Sequence, residues 1–171
     1  KINKLKKNII PIYEPGWSDL VKKNSSSNYL KFSSDVKSIV DANIIFIAVG
    51  TPTARRGNGE ADLKFVYEVG KQIAKLLIKG NEKLIITKST VPVGTGNKLK
   101  NKLKSLRPDL IYNEDYHVSS NPEFLREGSA IEDFMRPDRV ICGVTSNKAK
   151  IILRELYRPL NLRETPILFT D

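Results

Sequence analysis

Three short segments carry residue types that could do chemistry. In Asn121-Pro122-Glu123-Phe124-Leu125-Arg126-Glu127-Gly128, two carboxylates stand four residues apart. On a helix that spacing puts both on one face, where one could exchange protons while the other holds a ligand. Solvated helix surfaces carry such pairs too, so the spacing leaves both readings open. Lys88-Ser89-Thr90-Val91-Pro92-Val93-Gly94-Thr95 joins hydroxyls to a helix start suited to polar or anionic groups. Ser89, Thr90 or Thr95 would serve equally as helix caps. Val49-Gly50-Thr51-Pro52-Thr53 follows an apolar run, with Gly50 permitting close backbone approach and Thr51 and Thr53 offering hydroxyls. A plain strand-ending turn has the same composition.

The elements that must position these segments are legible from periodicity. Apolar, β-branched runs at 43–49, 83–87, 117–120 and 139–144 read as buried strands. Leu63, Val66, Val69, Ile73, Leu76 and Leu77 hold a helical spacing through 62–79, and Leu99, Leu103 and Leu106 do so more weakly. Further helices are expected over 123–134 and 147–160, and shorter strands over 29–33 and 167–169. Alternating strands and helices with continuous apolar strands give an α/β, doubly wound parallel sheet with right-handed crossovers. In such a sheet ligands lie outside the carboxyl ends of the strands, where all three segments fall.

Composition narrows the function classes. At 171 residues with 40% hydrophobic and 28% charged content, the chain has the size and balance of one globular domain. Its longest apolar stretches, 44–49 and 84–86, fall far short of the ~20 residues of a membrane-spanning helix. The basic N-terminus lacks the apolar run of a secretion signal, so the cytoplasm is the expected compartment. One cysteine, Cys142, and one histidine, His117, make no metal-ligand cluster, and no metal is expected. Cys142 lies in an apolar strand and reads as a small buried hydrophobe. The net charge of +10 raises the question of a nucleic-acid partner. The lysines at 4–7, 22–23, 71–79 and 98–104 lie mostly on polar helix faces without interleaved aromatics, so solvation is the expected role and nucleic acid is not.

Together with Ile12-Tyr13-Glu14-Pro15-Gly16 ahead and Arg136-Pro137-Asp138-Arg139-Val140 behind, the three segments resemble the UDP-glucose dehydrogenase family over essentially the whole chain. GDP-mannose and UDP-N-acetylmannosamine dehydrogenases share the architecture; Tyr13-Glu14-Pro15-Gly16, Thr90-Val91-Pro92-Val93-Gly94 and Arg136-Pro137-Asp138-Arg139 look most like the UDP-glucose branch. The resemblance implies oxidation of the sugar C6 alcohol to a carboxylate with two NAD, through a cysteine-bound thiohemiacetal and thioester. It implies that Thr90 helps hold the catalytic water and Glu123 is the general acid or base. Val49, Thr51, Pro52, Ser89 and Thr90 would contact NAD, with Glu127 at the nicotinamide and Lys1 near the adenosine ribose. Glu123, Phe124, Leu125, Arg126 and Glu127 would line UDP-glucose. Cys142 is not the implied nucleophile, which belongs to a Gly-rich segment of a second domain.

The same resemblance sets expectations for what is missing. Enzymes of this kind open with a Gly-x-Gly-x-x-Gly βαβ unit, and no such turn occurs here. The chain is therefore expected to be a partial NAD-binding domain, a Rossmann-like sheet lacking its first βαβ unit, with the central helix and UDP-binding domain elsewhere. In the order 3-2-1-4-5-6 that loss would remove the middle of the sheet, leaving apolar edges and an unstable, inactive polypeptide. A homodimer is expected for the full-length enzyme, and polysaccharide precursor supply for its product. A non-catalytic nucleotide-binding module is the alternative from another class.

Overall fold

Five strands form one sheet in chain order: β1 (Ile44–Ile47), β2 (Lys83–Thr87), β3 (Tyr116–Ser120), β4 (Val140–Gly143) and β5 (Ile167–Thr170). This computed structural model describes residues 1–53, 61–161 and 165–170. Every residue of β2 is buried. Side chains alternate across a strand, so Ile85 enters one core and Leu84 and Ile86 the other. Such a strand needs cover on both faces.

Helices supply that cover. Of α1 (Ile2–Leu5), α2 (Trp17–Ser26), α3 (Lys64–Ala74), α4 (Thr95–Leu106), α5 (Ala130–Met135) and α6 (Asn147–Asn161), α3 and α4 close one face and α6 the other. Val66 and Ile73 of α3 meet Leu99 and Leu103 of α4 over Ile45, Ile47 and Ile85. Ala149, Leu153 and Tyr157 recur every fourth residue on α6 and pack on Leu84, Ile86 and Cys142.

Four features depart from the expected pattern. The 29–33 run forms no strand, and none of its backbone finds a ladder partner among the described pairings. The sheet has no interior gap, since β1, β2 and β3 pair in direct succession and β1 is an edge. The sheet is not wholly parallel: β3 and β4 meet antiparallel at Ser120 and Gly143. The connecting α5 contributes no buried residue, so no packed crossover helix turns the chain back. A Cβ on Gly143 would lie 2.3 Å from Ser120 Oγ, so a larger residue there would require the serine hydroxyl to move aside. Finally, α3 ends at Ala74 rather than near residue 79, because the chain turns through an Ile78–Asn81 bridge into β2.

Asp115, just ahead of β3, ties two turns together by accepting the N–H groups of Gly80 at 2.7 Å and Ile111 at 2.8 Å. Those bonds hold its carboxyl below the ordinary carboxylate range. A carboxyl with a lower pKa folded than unfolded contributes stability above its unfolded value of about 3.9 and loses it as pH falls through the folded one. Urea unfolding followed from neutral to acid pH should show stability declining toward acid. In Asp115→Asn the neutral-pH stability should be lower and the acid decline shallower.

Candidate functional site

The ends of β1 and β2 build a ledge. Lys88 and Ser89 both donate backbone N–H groups to Ile47 O, at 2.8 and 3.1 Å, which extends the β1–β2 pairing past its last register pair. Ser89 Oγ then donates to Val49 O at 2.7 Å, and Thr51 Oγ1 donates to Thr90 O at 2.8 Å. Val49, Thr51, Ser89 and Thr90 thus come together from two loops about forty residues apart, while the Pro52 carbonyl accepts Asp62 N–H at 2.8 Å. Ser89 is buried, Thr90 is exposed, and the space a Cβ would enter at Gly50 is open. Gly94, at φ +85°, turns the chain from this ledge into α4.

Beyond β3 the chain forms a strap held at Asn121. Its N–H donates to Thr87 O at 2.9 Å and its Nδ2 to Ile141 O at 2.8 Å. Its Oδ1 accepts from Lys88 Nζ at 3.1 Å and from the Tyr157 hydroxyl. Asn121 is 1% exposed, and a buried amide with its groups satisfied fixes one orientation. Burial lowers the pKa of Lys88, while Glu123 and Cys142 act against that shift.

Glu123 and Glu127 do not share a helix, contrary to the sequence expectation. Helix α5 begins only at Ala130. Pro122 has no N–H and biases Asn121 toward extended backbone. Glu123 Oε2 accepts Leu125 N–H at 2.7 Å in a local turn, and Gly128 takes φ +81°. Arg126 is held across the strap by Asp133, with its backbone N–H at 2.8 Å and its guanidinium at 2.7 Å.

A cleft of about 470 Å³ opens between the strap, α5 and the start of β4. Lys88, Glu123, Phe124, Leu125 and Arg126 line it, with Arg139 from the other wall. Arg126 and Arg136 are neutralised by Asp133 and Glu132. Among the described ion pairs none includes Lys88 or Arg139, and both line the cleft, with Lys88 Nζ donating to Asn121 and Glu123 close by. Glu127 is exposed and outside the cleft lining, and Lys1 caps α1 with its carbonyl, without a described contact to ledge or strap. The sequence reading missed Asn121, Tyr157 and Arg139 as site-building residues. A signal existed for Tyr157 in the i, i+4 spacing of Ala149, Leu153 and Tyr157.

The ledge fits contact with a dinucleotide, because it offers an exposed Thr90, open space above Gly50 and a position at the carboxyl ends of parallel strands. It supplies no glycine-rich phosphate turn. Cys142 is fully buried in β4, and burial pushes its thiol up to about 11. No helix among the described residues is long and apolar enough to cross a membrane.

Sheet, covering helices and ledge together define a Rossmann-like dehydrogenase domain. The chain belongs to the UDP-glucose/GDP-mannose dehydrogenase family, whose NAD binding domain matches residues 1–161. The UDP-glucose 6-dehydrogenase of Rhizobium meliloti is 48% identical over 173 residues, covering 99% of this chain and 38% of the relative. TuaD of Bacillus subtilis, a UDP-glucose 6-dehydrogenase, is 44% identical over 172 residues, covering 100% and 35%. Among solved structures, a GDP-mannose dehydrogenase from Pseudomonas aeruginosa superposes with a TM-score of 0.91 at 30% identity, over 100% of this chain and 38% of that one. A UDP-glucose dehydrogenase from Pyrobaculum islandicum gives 0.87 at 32% identity, over 99% and 38%. The chain spans little more than a third of the length of these relatives.

The buried thiol makes a direct test of the site's chemistry. Near neutral pH, Cys142 should react with iodoacetamide only after denaturant is added, because the thiolate is the nucleophile and is disfavoured by burial. Rapid labelling of the native chain, read by mass spectrometry, would contradict its placement.

Proposed function

We propose that this chain is the NAD-binding part of a UDP-glucose 6-dehydrogenase, which oxidises UDP-glucose to UDP-glucuronate with two NAD. The observation that carries the reading is the registration of ledge against strap. Thr87 and Ser120 are paired across β2 and β3, and Thr90 and Glu123 each lie three residues beyond them, on opposite sides of the Lys88–Asn121 bond. The Thr90 hydroxyl and the Glu123 carboxylate thereby lie on neighbouring loops at the carboxyl edge, which supports pairing a water-holding group with a proton-exchanging one.

The ledge would hold NAD, which would supply the acceptor for hydride from the sugar carbon. Beside that acceptor, Glu123 takes the proton from the C6 hydroxyl and later takes one from the water that cleaves the thioester, whose sulfur leaves on the second-domain cysteine. Thr90 holds that water. Val49, Thr51, Pro52 and Ser89 line the cofactor side, with Glu127 toward the nicotinamide and Lys1 toward the adenosine ribose. Phe124, Leu125 and Arg126 line the sugar nucleotide, whose diphosphate suits Lys88 and Arg139. A homodimeric, cytoplasmic enzyme supplying polysaccharide precursors completes the proposal.

GDP-mannose is the second reading for the substrate, favoured by the TM-score of 0.91 to a GDP-mannose dehydrogenase. The identity of 48% to a UDP-glucose 6-dehydrogenase supports the first.

The test is a chimaera in which this chain replaces the matching segment of the Rhizobium meliloti enzyme. NADH formation with UDP-glucose exceeding that with GDP-mannose is expected, and the reverse preference would overturn the substrate assignment. Glu123→Gln should lower kcat by about 10²- to 10⁴-fold, the usual worth of a general acid or base. The 171-residue chain alone should form no NADH, since its one cysteine is buried.

A further inference from the structure

Glu14 lies in the Tyr13-Glu14-Pro15-Gly16 segment, far in sequence from the cleft, and both of its carboxylate oxygens are engaged at the end of the strap. Oε2 accepts Gly128 N–H at 2.9 Å and Oε1 accepts Ala130 N–H at 2.7 Å, across 114 and 116 residues of chain. The residue is only 8% exposed. Its own backbone is fixed, because Glu14 O accepts Trp17 N–H at 3.1 Å as α2 begins. Gly16, at φ +79°, forms the N-cap of α2, and a Cβ there would sit 3.7 Å from Ile131 Cδ1 of α5.

We infer that Glu14 is a positioning residue for the sugar-nucleotide segment, holding the far end of the strap whose near end is held at Asn121. The inference rests on the proposed function for the identity of the ligand. A carboxylate that accepts two N–H groups makes two charge-assisted bonds, stronger than neutral ones. Between the two anchors lie Glu123, Phe124, Leu125, Arg126 and Glu127, so the position of those residues depends on both ends. The cofactor ledge does not share this dependence, since it hangs from β1 and β2 through Ile47, Val49 and Thr90. Loss of Glu14 therefore weakens sugar-nucleotide binding more than cofactor binding, since Glu127 is the one cofactor residue on the strap and the others hang from the ledge.

The experiment uses the same chimaera with Glu14→Gln, which keeps shape but turns an amide NH₂ toward one of the two N–H groups. KM for UDP-glucose should rise by about tenfold, equivalent to one charge-assisted hydrogen bond, with a smaller rise in KM for NAD through Glu127. In the 171-residue chain, Gly128 and Ala130 amides should exchange faster in E14Q while Ile85 and Ile86 stay protected. Parallel rises in both KM values, or unchanged exchange at Gly128 and Ala130, would overturn the inference. If E14Q does not fold, Glu14→Asp, which keeps the charge but withdraws it by one methylene, is judged by the same KM ratio. If the native chimaera does not oxidise UDP-glucose, the proposed function fails. Glu14 is then decided by exchange alone, where faster exchange confined to 121–130 keeps the inference.

Discussion

Burial of β2 from both sides is the constraint on which the other features depend. Leu84, Ile85 and Ile86 are fully buried, and each such side chain contributes about 1.5–3 kcal/mol relative to exposure. Because the strand is apolar on both faces, its neighbours must pair in parallel register beneath helices. A slip of one residue would exchange its two faces. The register fixes which residues leave the sheet together at its carboxyl edge, and Thr87 and Ser120 leave as a pair.

From that edge outward, position is set by hydrogen bonds to backbone rather than by regular structure. The ledge borrows the carbonyls of Ile47, Val49 and Thr90. The strap borrows those of Thr87 and Ile141 and the carboxylate of Glu14. Loops at a strand end can present functional side chains when a rigid scaffold holds them, and here each loop is held at identifiable points. Asn121 is the junction, since one amide joins the end of β2, the strand β4 and the helix α6 through Lys88, Ile141 and Tyr157.

Much of this was legible in the sequence. The apolar runs locate β1 to β5, and the 3.6-residue spacing locates α3, α4 and α6, because burial leaves a periodic record in residue type. The three motif segments fall at strand ends as expected. The helix expected to carry Glu123 and Glu127 was not there: carboxylate spacing suggests a helix face, but Glu123 turns back onto its own Leu125 N–H and Gly128 takes a left-handed conformation. The 29–33 run shows the limit of composition, since a β-prone stretch becomes a strand only with a partner to pair with. The antiparallel contact of β4 and the reach of Glu14 to Gly128 depend on long-range geometry, and no local pattern records them.

The central claim is that ledge and strap are two halves of one site, one for cofactor and one for sugar nucleotide. It is tested most directly by amide chemical shifts of the isotopically labelled 171-residue chain, titrated first with NAD and then with UDP-glucose. The account predicts that NAD shifts the amides of Val49, Thr51, Ser89 and Thr90, and that UDP-glucose shifts those of Asn121 and of Glu123 through Glu127. Shifts spread over the lysine-rich face of α4, or UDP-glucose shifts confined to the ledge, would contradict it.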